Sequence, residues 1–213
     1  MLILSLALLA AAPGPGGPAT VEQTPTLFCS RALQVAGGAK RAEAVAEVGR
    51  DHRPLHRTLE VQGRDYLALW RFSGARFDSR RALERLELRR IALPRGTLFP
   101  VVAEVRFDGR TVLRSQVAQA TSDMIRVPAD GGPLPEPLPG ISVRSAAGAV
   151  PTLFGVRHAE LVVTAADGSQ AARRTLDLPD WERLRGEAGG AFAAIERERR
   201  TGGCQPHSIT STS

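Results

Sequence analysis

The sequence is nearly empty of the residues from which most catalytic motifs are built. It has no asparagine, a single lysine (Lys40), two cysteines, four histidines and only 5% aromatic residues. With Lys40 alone there is no S-x-x-K pairing of a serine with a lysine base, and no G-x-S-x-G elbow exposes a nucleophilic serine. Phosphate-cradling glycine loops are missing too. Gly14-Pro15-Gly16-Gly17 follows the N-terminal apolar run, and Gly131-Gly132 opens onto prolines instead of a helix. His52 and His56 are four residues apart, but Pro54 breaks the helix that would set both on one face. The glutamate of an H-E-x-x-H motif is absent as well. These two histidines read as solvated loop residues, and His158 as a structural or exposed one.

The shortage of aromatics bears on the positive charge, which is +6 at pH 7. A nucleic-acid binder clusters its basic residues and interleaves aromatic stacking platforms. Here the arginines are scattered, with short pairs at Arg80-Arg81, Arg89-Arg90 and Arg173-Arg174, so nucleic acid is not an expected partner. A net positive field toward anionic lipid headgroups or cell-wall polymers remains.

Long hydrophobic runs are absent but for one. Leu2 to Ala12 is apolar and uncharged, and helix breakers follow from Pro13 to Pro18. Eleven residues suit the apolar region of an export signal and fall short of the roughly 20 needed to span a bilayer. The basic n-region is reduced to the amino terminus of Met1. Gly17 and Ala19 place the expected cleavage after Ala19, and bulky Phe28 ahead of Cys29 argues against a lipoprotein. The expectation is an exported chain, periplasmic or extracellular. It comprises a signal peptide (1–19), one β-rich globular domain (20–206) and a disordered tail (207–213), with no transmembrane segment after cleavage.

In such a compartment two cysteines imply one disulfide, Cys29–Cys204. The closed loop of 175 residues would stabilise the chain by at most about 5 kcal/mol in the chain-entropy model. It requires Cα atoms about 4.4–6.8 Å apart. Cys29, Cys204 and His207 could instead contact a zinc ion, but no fourth ligand is evident. No metal, cofactor or catalytic residue is expected.

Along the chain, Ala32 to Val48 reads as helical, most clearly from Ala39, with Gly49 as a C-cap. Thr58 to Val61 and Tyr66 to Phe72 flank the loop Gln62-Gly63-Arg64-Asp65 as a hairpin. Residues 79–93 fit a short helix or a strand equally well. Val101 to Val117 reads as a hairpin turning at Asp108-Gly109, with Val105 opposite Val112. Pro128 to Gly140 reads as an extended loop. Strands follow over Ile141 to Val143, Val156 to Thr164 and Ala171 to Leu178, with a second turn at Asp167-Gly168. Asp180 to Arg200 reads as a helix whose inner face carries Trp181, Leu184, Phe192 and Ile195. The expected fold is α+β, mainly antiparallel β (a sandwich or meander), with a helix near each end.

The functional expectation is a non-catalytic binding or structural domain of the cell envelope, acting on an envelope component or a protein partner. Two alternatives accompany it. One is an envelope-polymer hydrolase assembled from histidines or from carboxylates such as Asp177 and Asp180. The other is a chaperone-like assembly factor that lends a strand to its partner.

Overall fold

The computed structural model describes residues 27–34, 37–48, 54–74, 76–124 and 136–202. The expected signal peptide, His52, Cys204, His207 and the C-terminal tail lie outside the described residues. In chain order the elements are β1 (Leu27–Leu33), β2 (Ala39–Val48), β3 (Pro54–Gly63), β4 (Tyr66–Phe72), β5 (Arg85–Ala92) and β6 (Val101–Phe107). They continue with β7 (Arg110–Val117), β8 (Ser122–Met124), β9 (Leu138–Arg144), β10 (Ala159–Thr164), β11 (Gln170–Thr175) and α1 (Trp181–Arg200). The fold is α+β and dominated by two antiparallel sheets. One sheet has seven strands in the order β1-β2-β3-β4-β5-β9-β8, and the other has four in the order β11-β10-β6-β7.

Alternation of side chains builds the core between the sheets. Along β4, Tyr66, Ala68, Trp70 and Phe72 are buried while their neighbours are not, and β6 repeats the pattern with Val101, Ala103, Val105 and Phe107. Because the side-chain period of a strand is two, each strand presents one apolar face inward. Six aromatic residues from distant segments converge there: Trp70, Phe72, Phe77, Phe154, Trp181 and Phe192. The Trp70 and Phe154 ring centroids are 5.3 Å apart, those of Phe154 and Trp181 4.9 Å, and those of Phe72 and Phe192 5.0 Å. Edge-on and tilted pairs at these distances add to simple area burial.

Only one of the two expected helices exists among the described residues. The segment from Ala39 to Val48 is β2, paired with β1 on one side and β3 on the other. Its alanines suggest helix by propensity, but Ala42, Ala44 and Ala46 are buried in strict alternation with the half-exposed Glu43, Val45 and Glu47. Tertiary pairing overrides propensity here. The small side chains have a use, because α1 packs on β1 and β2. Three alanines beneath it let the helix lie close to the sheet. The segment 79–93 resolves into a turn begun by Asp78, whose carboxylate accepts the Arg80 amide at 3.0 Å, and then β5.

Other boundaries shift for definable reasons. The Asp108-Gly109 turn is present, with φ of 47° and 81° as a type I′ turn requires. Val105 lies opposite Leu113, however, because β7 carries an extra residue next to the Val105/Arg106 position. The expected loop ends earlier than Gly140, since Leu138 to Gly140 already pair with β8. The strand expected from Val156 begins at Ala159, Val156 being held in a turn by the carbonyl of Leu153. The Asp167-Gly168 turn joins β10 to β11, which runs over Gln170–Thr175 instead of reaching Leu178.

The helix is fixed at both ends. Asp180 caps its N-terminus by accepting the Arg183 amide at 3.1 Å. Near its C-terminus Glu196 meets Arg57, a guanidinium 4% exposed on β3 that also donates to the carbonyls of Ser73 and Gly74. Arg199 and Arg200 bond the same carboxylate, and Arg31 of β1 pairs with Glu198 beside it. Hydrogen bonds from Arg199, Arg200 and Arg57 hold the Glu196 carboxyl at about 2, against its partial burial. A depressed folded-state value contributes stability above the unfolded glutamate pKa, and that stability is lost as pH falls toward 2. Urea unfolding at pH 7 should therefore show Glu196→Gln less stable by about 1–3 kcal/mol. Between pH 5 and pH 2 the variant should lose less stability than the parent.

Candidate functional site

An open cavity of about 790 Å³ lies where the β3–β4 turn, β5 and the edge strand β11 meet. Its polar side is built from three arginines on three different segments: Arg64, Arg90 and Arg174.

Each is placed by a local feature of the chain. Arg64 and Asp65 form the two-residue connection between β3 and β4. Gly63, just before it, faces the ring of Tyr66 so closely that a Cβ there would stand 2.1 Å from Tyr66 Cε1. Any larger residue would push the turn away. Arg90 sits in a bulge of β5. Leu88 pairs with Val143 and Ile91 with Ile141, so Arg89 and Arg90 together oppose a single residue of β9. Such a bulge redirects side chains out of the ladder. Arg90 has a φ of 57°, the left-handed region that glycine occupies freely and that costs other residues roughly 1–2 kcal/mol. The Arg89 amide donates to the Asp65 carbonyl at 3.2 Å and ties the bulge to the turn.

Arg174 is opposite Leu161 on β10, a core residue, so it leaves the inward face of β11 at the open edge of its sheet. There its Nη1 stands 3.7 Å from Asp65 Oδ1, bridging the two sheets. An inward charge on an edge strand also discourages edge-to-edge association. Among the described residues Asp65 is the one carboxylate lining the cavity, against three guanidiniums. Arg89 next to Arg90 is already satisfied by both oxygens of Glu87, at 2.7 and 2.8 Å. The lining also includes the apolar Leu93, Met124, Leu138 and Ala171.

No protein-family model, curated protein or solved structure matches the chain. The chemistry of the cleft is therefore argued from its own residues. Guanidiniums in fixed positions with too few carboxylates present fork-shaped donors to an oxyanion such as a carboxylate or phosphate.

The two described histidines are elsewhere. His56 is half-buried on β3, and His158 Nε2 is 3.8 Å from Glu160 Oε2, too far for a hydrogen bond. Glu160 is held instead by Arg173 at 2.8 Å on the sheet face away from the core, which keeps its carboxyl below the usual range. Asp180 is committed to capping α1, and Asp177 lies against Gly38. Among the described residues no three of His, Cys, Asp and Glu group as metal ligands.

The arginine cleft was missed in the sequence because its members are 26 and 84 residues apart when counted from Arg64 to Arg90 and from Arg90 to Arg174. One signal was present. The apolar positions Leu86, Leu88, Ile91 and Leu93 step by two, three and two, which marks an inserted bulge residue.

Cys29 is buried on β1, two residues before the Arg31 that pairs with Glu198 of the helix. Cys204 follows the end of α1 by four residues and lies outside the described residues. The expected Cys29–Cys204 bond is checked by a thiol titration of the denatured, unreduced protein. The expected result is no free thiol before reduction and two after it.

Proposed function

We propose that this chain is an exported, non-catalytic binding domain of the cell envelope. Its arginine-lined cleft takes an anionic ligand. Support for export comes from the apolar leader and the small residues before the expected cleavage point. Support for binding comes from one observation above all. Arg90 is kept in a conformation suited to glycine, in the lining of the cavity and without a carboxylate in ion-pair range among the described residues. Strain retained at a charged residue in a cavity points to a task for that side chain.

The two other readings have less behind them. A hydrolase calls for a histidine and a carboxylate in hydrogen-bond reach within a cleft. The exposed His158 is 3.8 Å from Glu160, a buried carboxylate already bonded to Arg173. Strand donation calls for a long edge strand free of charge. The longer edge strands β1, β7 and β11 carry Arg31, Arg110 and Arg114, and Arg173 and Arg174.

Isothermal titration of the protein with inorganic phosphate and with citrate tests the reading. Affinity should fall as salt rises, because the contacts are ionic. Arg90→Gly should raise or preserve the melting temperature, since glycine relieves the backbone strain, and yet weaken binding about tenfold or more. Arg110→Ala, on the distant β6–β7 hairpin, should leave binding unchanged. Equal loss in Arg110→Ala and Arg90→Gly, or no loss in either, would contradict the assignment of the cleft.

A further inference from the structure

The cleft lining combines two chemistries, and its apolar residues say more about the ligand than its arginines do. A small oxyanion needs only the guanidiniums of Arg64, Arg90 and Arg174. About 790 Å³ is in the size range of sites for whole organic molecules, roughly 300–1,000 Å³, and an inorganic anion would leave most of it as water. The half-buried Met124, Leu138 and Ala171 line the same space as the arginines. Met124 and Leu138 face each other across the β8–β9 pair. Met124 can lie across β9 because residue 140 is glycine. A Cβ there would come within 2.5 Å of Met124 Cγ. An unbranched thioether beside a half-exposed leucine makes an adaptable apolar wall, suited to flexible chains. The Leu93 amide donates to the Pro139 carbonyl at 2.8 Å and ties the end of β5 to β9 beside the cavity.

Building on the anion-binding reading, we infer that the ligand is a single-chain amphiphile. Its carboxylate or phosphate head is held by Arg64, Arg90 and Arg174, and its hydrocarbon chain lies along Met124, Leu138 and Ala171. The head group supplies the charge complementarity, and the chain displaces water from the apolar wall. Asp65 tunes the head site. It neutralises part of the charge through Arg174, 3.7 Å away, which leaves the site suited to a head of one or two charges instead of a polyanion.

A homologous series separates this inference from the reading beneath it. Inorganic phosphate, butyl phosphate and octyl phosphate are titrated into the full protein below micellar concentration, with octanoate and octyltrimethylammonium as head-group controls. Each methylene that leaves water should strengthen binding by up to about fourfold. Octyl phosphate should therefore bind at least tenfold more tightly than butyl phosphate, octanoate should bind, and the cationic amphiphile should not. Met124→Ser should shrink the octyl-to-butyl ratio while leaving inorganic phosphate unaffected, and Arg174→Ala should weaken all the anions alike. A flat series with intact phosphate binding overturns the amphiphile and leaves the anion site standing. Binding to phosphatidylglycerol vesicles with a flat series likewise overturns it, in favour of a surface contact. No binding by any anion overturns both.

Discussion

The governing constraint is a mismatch of sheet sizes. A seven-stranded sheet offers more apolar face than a four-stranded partner can cover, and an uncovered apolar face is costly in water. Most of the structure answers that excess. The helix α1 covers β1 and β2, and its tilt and reach are set by Asp180 at one end and by Glu196 with three arginines at the other. The aromatic cluster fills the junction of sheet, helix and the loops carrying Phe77 and Phe154. At the far end of the large sheet, beyond β5, a gap remains beside β11. It is lined by arginines together with Met124 and Leu138.

The charges divide into two groups by how they are partnered. Arg57 is buried, yet it is bonded to two carbonyls and a carboxylate, so its burial is compensated. Arg106 and Arg173 lie within a ladder with Glu104 and Glu160 on the outer face of the small sheet. Arg89 is matched to Glu87. These guanidiniums hold the fold together or solubilise it. Arg64, Arg90 and Arg174 line one cavity, where Arg174 alone pairs with a carboxylate, Asp65. A net charge of +6 is thus an unreliable guide to function, whereas the distribution of partners is informative.

Most of the β architecture was legible in the sequence, because alternation and Asp-Gly turns are local signals. The hairpins at Arg64-Asp65, Asp108-Gly109 and Asp167-Gly168 and the final helix all followed from residues within a dozen positions of each other. The failure at Ala39 to Val48 has a physical cause. Alanine at alternate positions satisfies both a helix and a strand lying beneath a helix, and only the distant α1 decides between them. Registers failed where a bulge intervened, as at Val105 and Leu113. The cleft was hidden because it depends on a bulge, a turn and an edge strand meeting in space. The break in spacing from Leu88 to Ile91 was its one local trace.

The central claim is that Arg64, Arg90 and Arg174, which line one cavity beside a single carboxylate of the described residues, Asp65, form one binding site. Side-chain Nε–Hε NMR spectra of the arginines during a titration with octyl phosphate address it directly. The account predicts saturable shifts confined to Arg64, Arg90 and Arg174, with Arg57, Arg106 and Arg173 unmoved. Small, unsaturated shifts spread over all exposed arginines would contradict it.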